Sequence, residues 1–143
     1  MDWRGDALRV NATTWGERSR QLEERFVDFG VRIIDVSQKL PRNAAGSHLA
    51  NQIIRSGTSC APNYGEARGA ESYADFAHKI GIVLKELNES SIWLRMISKS
   101  ALLPEMVVTP LIHENAELCK IFTSSTMTAK AKIKQMKLSK RGA

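Results

Sequence analysis

A chain of 143 residues is long enough to bury one hydrophobic core, and its apolar (43%) and charged (25%) fractions are those of an ordinary globular domain. It contains no apolar run of about 18 residues, so no membrane-spanning helix is expected and the membrane is not expected as a partner. The formal net charge of +6 comes from one end, because residues 120 to 143 hold seven Lys or Arg and no Asp or Glu.

Residues 1 to 19 show no clear helical period and contain two tryptophans, Trp3 and Trp15. Two interpretations of this arm stay open. It is either a flexible terminus, or a segment that packs on another subunit, since exposed apolar side chains often mark an interface. The segment has no apolar stretch typical of a secretory signal, so a cytoplasmic location is expected.

The first predicted helix runs from about Ser19 to Lys39, and it ends at Leu40-Pro41 because a proline restricts the residue before it. Val27, Val31 and Ile34 widen its apolar surface onto a second side. Its core stripe repeats at helical spacing and consists of Leu22, Phe26, Phe29, Ile33, Val36 and Leu40.

The second predicted helix begins near Ser47, a good capping residue, and ends by Gly69 or Ala70. Pro62 lies inside it and removes a backbone hydrogen bond, which leaves open how straight the helix is after Thr58. Its core face has small residues in the middle, where another helix can approach closely. That face consists of Leu49, Ile53, Ser56, Gly57, Cys60, Tyr64 and Ala67.

The third helix is predicted from a Ser72 cap, with Asp75 in the place of a capping-box acid, to about Ser100. Its core stripe is Phe76, Ile80, Val83, Leu84, Leu87, Ser91, Leu94 and Ala101. The fourth is predicted to begin at Thr109-Pro110, after an irregular segment that starts at Pro104. Its stripe is Leu111, Leu118, Phe122, Ala129, Ile133 and Met136.

Four amphipathic helices with short connections predict an all-α fold, an antiparallel up-down-up-down four-helix bundle. The bundle is assigned to residues 20–136, between the arm at 1–19 and a basic tail at 137–143.

The sequence offers no pattern that indicates a metal, a cofactor or catalysis. A di-iron bundle needs a Glu-x-x-His motif on each of two helices, and only Asp75-Phe-Ala-His78 comes near. No Gly-rich phosphate loop, nucleophile elbow or zinc motif occurs. Cys60 and Cys119 fall within helical patterns and are interpreted as core thiols. We therefore predict that the protein is not an enzyme.

Arg55 lies near the core stripe of the second helix, and a buried guanidinium needs an acidic partner. We predict that it pairs with a carboxylate in a partly buried network, with Gln52 or Asn63 nearby. A structural role, in fixing helix register or subunit contacts, is favoured over catalysis. The candidate residues of this network are Gln52, Arg55, Asn63, Glu66, Glu86 and Glu89.

The C-terminal cations form the candidate nucleic-acid site: Lys120, Lys130, Lys132, Lys134, Lys137, Lys140 and Arg141. Lysines that neutralise phosphates release counterions, which gives salt-sensitive affinity with little dependence on sequence. The segment has few aromatic residues, so readout of bases is not indicated. The alternative interpretation is a solvated basic tail with no partner.

The middle of the chain resembles the bacterial 23S rRNA-intervening sequence protein family of four-helix bundles, over about residues 20 to 135. The resemblance rests on residues at fixed spacing: Leu40, Pro41, Gln52, Arg55, Ser56, Asn63, Tyr64, Glu66, Asp75, Phe76, Lys79, Lys85, Glu86, Glu89, Trp93 and Leu94. It implies a homo-oligomeric ring, commonly a pentamer. Relatives of the family include accessory proteins of diversity-generating retroelements, which associate with a reverse transcriptase and RNA.

These observations predict a non-enzymatic, homo-oligomeric module that binds RNA or DNA through its basic C-terminal surface, as an accessory of a ribonucleoprotein or a reverse transcriptase. The alternative is a protein-interaction scaffold that uses the oligomer surface and the arm containing Trp3 and Trp15, with no direct role for nucleic acid.

Overall fold

The computed structural model describes the backbone of residues 12–143 and the side chains from Gly16 onward. This part of the chain forms four α-helices and no strand: α1 (Ala12–Lys39), α2 (Ala44–Arg68), α3 (Tyr73–Lys99) and α4 (Glu105–Arg141). Connections of four or five residues make consecutive helices antiparallel neighbours, and α4 also contacts α1. The predicted four-helix bundle is confirmed. None of these four helices is apolar enough over a sufficient length to cross a membrane.

Helix α1 begins at Ala12, earlier than the predicted start near Ser19, so the second half of the presumed arm is helical. Ser19 explains part of the difference, because it is fully buried and accepts a hydrogen bond from the Tyr64 hydroxyl at 3.4 Å. That contact attaches this turn of α1 to α2. Trp15 belongs to the helical segment, whereas Trp3 lies outside the described residues.

The prediction of Ser47 as the cap of α2 is wrong, because the helix starts three residues earlier and is capped by Asn43. The Asn43 side chain accepts a hydrogen bond from the Gly46 amide at 2.9 Å. Glycine is required there, since a Cβ on residue 46 would lie 1.9 Å from the Pro41 carbonyl oxygen. Pro62 does not end the helix, which continues to Arg68; its own side chain is exposed.

Helix α4 differs from its prediction at both ends. It begins at Glu105, directly after Pro104, so Thr109 is not its cap and Pro110 lies within the helix. The chain reverses just before it at Ala101, whose φ of 56° is left-handed. At the other end the helix continues to Arg141, so most of the residues assigned to a tail are helical.

The core is centred on three aromatic rings from different helices. Phe26 of α1, Tyr64 of α2 and Phe122 of α4 are all buried, with ring centroids 5.2 to 5.5 Å apart. Such tilted and edge-on pairs add to the stabilisation from burial alone. They connect α1 to both of its neighbours in the bundle.

The predicted core stripes hold for most positions. On α3, Ser90 and Ile97 are buried in place of the predicted Ser91 and Ala101. The Ser90 hydroxyl donates to the Ser56 hydroxyl of α2 at 2.9 Å, so α3 is rotated towards α2. The predicted positions that are not buried are Leu22, Leu84, Ser91, Ala101, Ile133 and Met136.

Gly57 allows α1 and α2 to approach closely. A Cβ on residue 57 would lie 2.7 and 2.9 Å from the two γ carbons of buried Ile33, whereas a Cβ on Gly30 would meet its nearest atom at 3.9 Å. Both glycines gain helix propensity on substitution by alanine. We therefore expect Gly57→Ala to be less stable than Gly30→Ala by about 1–3 kcal/mol in urea unfolding, because only the former overpacks the core. Equal stabilities would contradict this packing.

Candidate nucleic-acid interface

Arg55 and Glu89 join α2 to α3 on the surface of the bundle. The Arg55 guanidinium forms an ion pair with Glu89, one of its three predicted partners, and donates to Gln52 Oε1 at 3.3 Å. Glu89 also accepts a hydrogen bond from the Trp93 indole at 3.2 Å. The burial predicted for Arg55 is wrong, since its side chain is 61% exposed. A helical wheel gives the direction of a residue, but a long side chain can extend from there into water.

The other residues of the predicted network do not join this contact. Glu66 pairs with Lys79 at 2.6 Å, and this hydrogen bond raises the pKa of Lys79. Asn63 donates to the Ser59 carbonyl of its own helix at 2.9 Å. Glu86 has no ion pair within the described chain, and its Oε2 atom is buried without a hydrogen-bond partner. In the described chain, two separate ion pairs therefore join α2 to α3, Arg55–Glu89 and Glu66–Lys79.

The two cysteines are free thiols, and their surroundings keep them protonated. Burial raises the pKa of Cys60 to about 12, with the nearby Glu86 carboxylate as a smaller cause. Burial also raises the pKa of Cys119, which is partly exposed. A thiol of raised pKa is a poor nucleophile and a poor metal ligand near neutral pH. Among the described residues no group of three His, Cys, Asp or Glu is placed to hold a metal ion.

The cations predicted to bind nucleic acid are available for a partner. Six of them are exposed and Lys132 is partly buried. No carboxylate in residues 16–143 forms an ion pair with any of them: Lys120, Lys130, Lys132, Lys134, Lys137, Lys140 and Arg141. Lys130, Lys134 and Lys137 share one side of α4, at intervals of four and three residues.

Three of the six acids of α3 and α4 pair with arginines of other helices and not with these lysines. On α4, Glu114 and Glu117 both bind Arg25 of α1, at 2.7 and 3.2 Å. On α3, Glu89 is directed towards Arg55 of α2. These three carboxylates therefore do not neutralise the lysines of α4.

Arg95 of α3 lies on the side where α3 and α4 meet, because it follows the groove residue Ser91 by one helical turn. We call the surface formed by Arg95, Lys120, Lys130, Lys134 and Lys137 the cationic face. Sequence reasoning missed Arg95. Residues 72 to 119 carry more acids than bases, and this net negative charge gave no indication of a cation that binds nucleic acid. A helical wheel of α3 separates Arg95 from Glu86 and Glu89 and would have found it.

A groove of about 520 Å³ runs between α3 and α4 on the cationic face. Asn115 lies at the bottom of the groove. Its buried side chain donates a hydrogen bond to the Leu87 carbonyl of α3 at 3.1 Å. Cys119 Sγ lies 3.6 Å from the Oδ1 atoms of Asn88 and Asn115. We call it the polar groove; its lining is Asn88, Ser91, Asn115, Ala116, Cys119, Lys120, Thr123, Ser124 and Met127.

Residues 20–124 match the sequence profile of the family described as 23S rRNA-intervening sequence protein. The chain belongs to the 23S rRNA-intervening sequence protein family. A solved relative is a protein of unknown function from the S23 ribosomal protein family of Bacteroides thetaiotaomicron VPI-5482. It is 31% identical, with a TM-score of 0.68 over 73% of this chain and 96% of the relative. A search of curated proteins found no match.

The part of the chain that matches the 23S rRNA-intervening sequence protein family ends at residue 124. Most of the cationic face lies beyond that point, at Lys130, Lys134 and Lys137. The fold and the ion pairs between α2 and α3 thus lie within the family match, whereas the C-terminal lysines extend past it.

Proposed function

We propose that this member of the 23S rRNA-intervening sequence protein family is a non-enzymatic, homo-oligomeric nucleic-acid-binding protein. Its biological role would be that of an accessory to a ribonucleoprotein or a reverse transcriptase. The observation that carries the proposal is the cationic face, where Arg95 and four lysines have no carboxylate partner in the described chain. Like charges held side by side repel one another, and a polyanion relieves that repulsion.

The geometry of α4 favours phosphates as the ligand. Lys130, Lys134 and Lys137 follow one line on the last turns of α4, where Ile133 packs against the core. Each lysine that neutralises a phosphate releases condensed counterions, so affinity grows with the number of aligned cations. A homo-oligomer would present several such lines to the same strand and increase the overall affinity.

A second surface supports the oligomer. Val27, Val31 and Ile34 are exposed on one side of α1, at intervals of four and three residues. Ile54 of α2 is also exposed, and it lies one turn from Thr58, which packs against Gly30. We call these four residues the apolar face. A second copy of this chain is the proposed occupant, because apolar side chains grouped on one surface are stabilised by burial.

The neutralised variant Lys130→Gln/Lys134→Gln/Lys137→Gln tests the proposal. Glutamine keeps the helix propensity of lysine, so α4 stays folded while three charges are lost. The matched control is Arg18→Gln/Arg20→Gln/Arg32→Gln, which removes three exposed charges from α1. We expect the α4 variant to bind a fluorescent oligouridylate at least about tenfold more weakly than wild type at low salt, and the α1 variant within about threefold.

Two results would contradict the proposed function. If the wild-type protein binds neither RNA nor DNA at low salt, the cationic face is not a nucleic-acid-binding surface. Equal losses in both variants would show that net charge, and not this surface, sets the affinity.

The second candidate function is a protein-interaction scaffold, and the apolar face favours it. Exposed apolar residues on two neighbouring helices also suit a different protein as partner. Affinity capture with and without nuclease separates the candidates. Partners that survive nuclease and are lost in Val31→Glu support the scaffold, whereas partners released by nuclease support nucleic-acid binding.

A further inference from the structure

We infer that the polar groove between α3 and α4 holds one strand of single-stranded nucleic acid, whose phosphates continue onto the lysines of the cationic face. This inference rests on the proposed function. It specifies that the ligand is single-stranded and that it binds in the polar groove. It places the centre of the contact in the groove around Asn88 and Thr123, one or two turns before the C-terminal lysines.

The groove has hydrogen-bonding groups that the described protein leaves unused. The hydroxyls of Ser91, Thr123 and Ser124 line it and make no hydrogen bond within residues 16–143. By contrast, Ser125 and Thr128 donate to carbonyls of their own helix at 2.9 and 3.0 Å. Free hydroxyls beside a cation are among the groups that contact phosphate and sugar oxygens in nucleic-acid complexes.

The charge of the groove continues in both directions along the bundle. Lys120 lies in the groove itself, and Arg95 lies one turn of α3 beyond Ser91. In the other direction, Lys130 and Lys134 follow the groove residue Met127 by three and seven positions, which places them on its side of α4. A strand that lies along the groove therefore meets cations before, within and after the neutral hydroxyls.

The dimensions of the groove favour a single strand over a duplex. Packed helices are typically about 8–10 Å apart, so the space between α3 and α4 is narrow. Asn115 is buried and Ser91 and Cys119 are partly buried, while the rest of the lining is exposed, so the groove is a furrow open to solvent. A duplex is wider than a furrow between two packed helices and would rest on its exposed edges, whereas one extended strand can lie along it.

The lining also predicts which part of the strand is recognised. No aromatic residue lines the polar groove, so it has no platform on which bases stack. The contacts available are a lysine, hydroxyls and amides, which suit phosphate and sugar. Affinity for the single strand should therefore depend little on base sequence.

The test compares two variants that add the same charge to α4. Thr123→Glu places a carboxylate in the polar groove, whereas Thr128→Glu places one outside it, on a different side of the helix. Both residues are exposed, and circular dichroism checks that both variants fold. With a single-stranded oligouridylate as probe, we expect Thr123→Glu to lose at least about tenfold in affinity, because a like charge would face the phosphates. Thr128→Glu should lose less than about threefold.

Failure of the groove can be told apart from failure of the proposed function. If Thr123→Glu binds the oligouridylate as Thr128→Glu does, while neutralising Lys130, Lys134 and Lys137 still weakens binding, the groove is not the site and the proposed function stands. If wild type binds no probe, both the groove as a binding site and the proposed function are contradicted. If a duplex of equal length binds wild type more tightly than the single strand, the inferred preference for a single strand is wrong. The higher charge density of the duplex would then be enough to explain the binding.

Discussion

Replacing Phe26 with alanine is expected to lower the free energy of unfolding by about 3–5 kcal/mol. Phe26 is fully buried and contacts rings of two other helices, Tyr64 at 5.4 Å and Phe122 at 5.2 Å. Its truncation removes apolar surface from the core and leaves a cavity that rigid helices close only in part. Urea unfolding followed by circular dichroism measures the change.

Ile92→Ala is the control for this prediction, because it removes apolar atoms from a side chain of α3 that is 48% exposed and lies outside the apolar face. We expect it to change stability by less than about 1 kcal/mol, provided that unfolding is measured at a fixed protein concentration. A loss for Phe26→Ala no larger than that for Ile92→Ala would mean that the aromatic cluster is not the centre of the core.

Replacing Val31 with glutamate is expected to dissociate the proposed oligomer into monomers of 15.9 kDa. Val31 is the most exposed residue of the apolar face, at 60%, so its substitution leaves the core of the monomer intact. In the oligomer the new carboxylate would be buried without a partner in every interface, at several kcal/mol each. Size-exclusion chromatography with light scattering gives the mass directly.

Thr128→Glu provides the matched control for mass, since it adds the same charge on α4, away from the apolar face. It should elute with the wild type. An oligomer that persists in Val31→Glu would place the subunit contact elsewhere, and a monomeric wild type would remove the homo-oligomer from the proposed function.

Periodicity predicted the fold because each helix buries one stripe. Ile53, Cys60 and Tyr64 of α2 are buried as the spacing requires. The helix ends were predicted less well, since several residues near each end have similar chemistry. Asn43 and Ser47 are both good caps, and only the close approach of Gly46 to Pro41 in the folded chain selects Asn43.

The candidate site was predicted in part. The C-terminal lysines stand out in the sequence because no acid accompanies them. A helical wheel of α3 would have found Arg95, but the polar groove was not predictable, because it depends on how α3 is rotated against α4. That rotation is fixed by contacts between distant residues, such as the hydrogen bonds from Ser90 to Ser56 and from Asn115 to the Leu87 carbonyl. Spacing along one helix carries no information on it.

The salt dependence of binding tests the proposed role of the cationic face most directly. Affinity of the wild type for an oligouridylate should be measured at several salt concentrations. Five cations are proposed to contact phosphates, namely Arg95, Lys120, Lys130, Lys134 and Lys137. Single strands give a slope of about −0.7 per phosphate in a plot of log K against log salt, so a slope of about −3 to −4 is predicted. A slope near zero, or no binding at low salt, would contradict a nucleic-acid function for this surface.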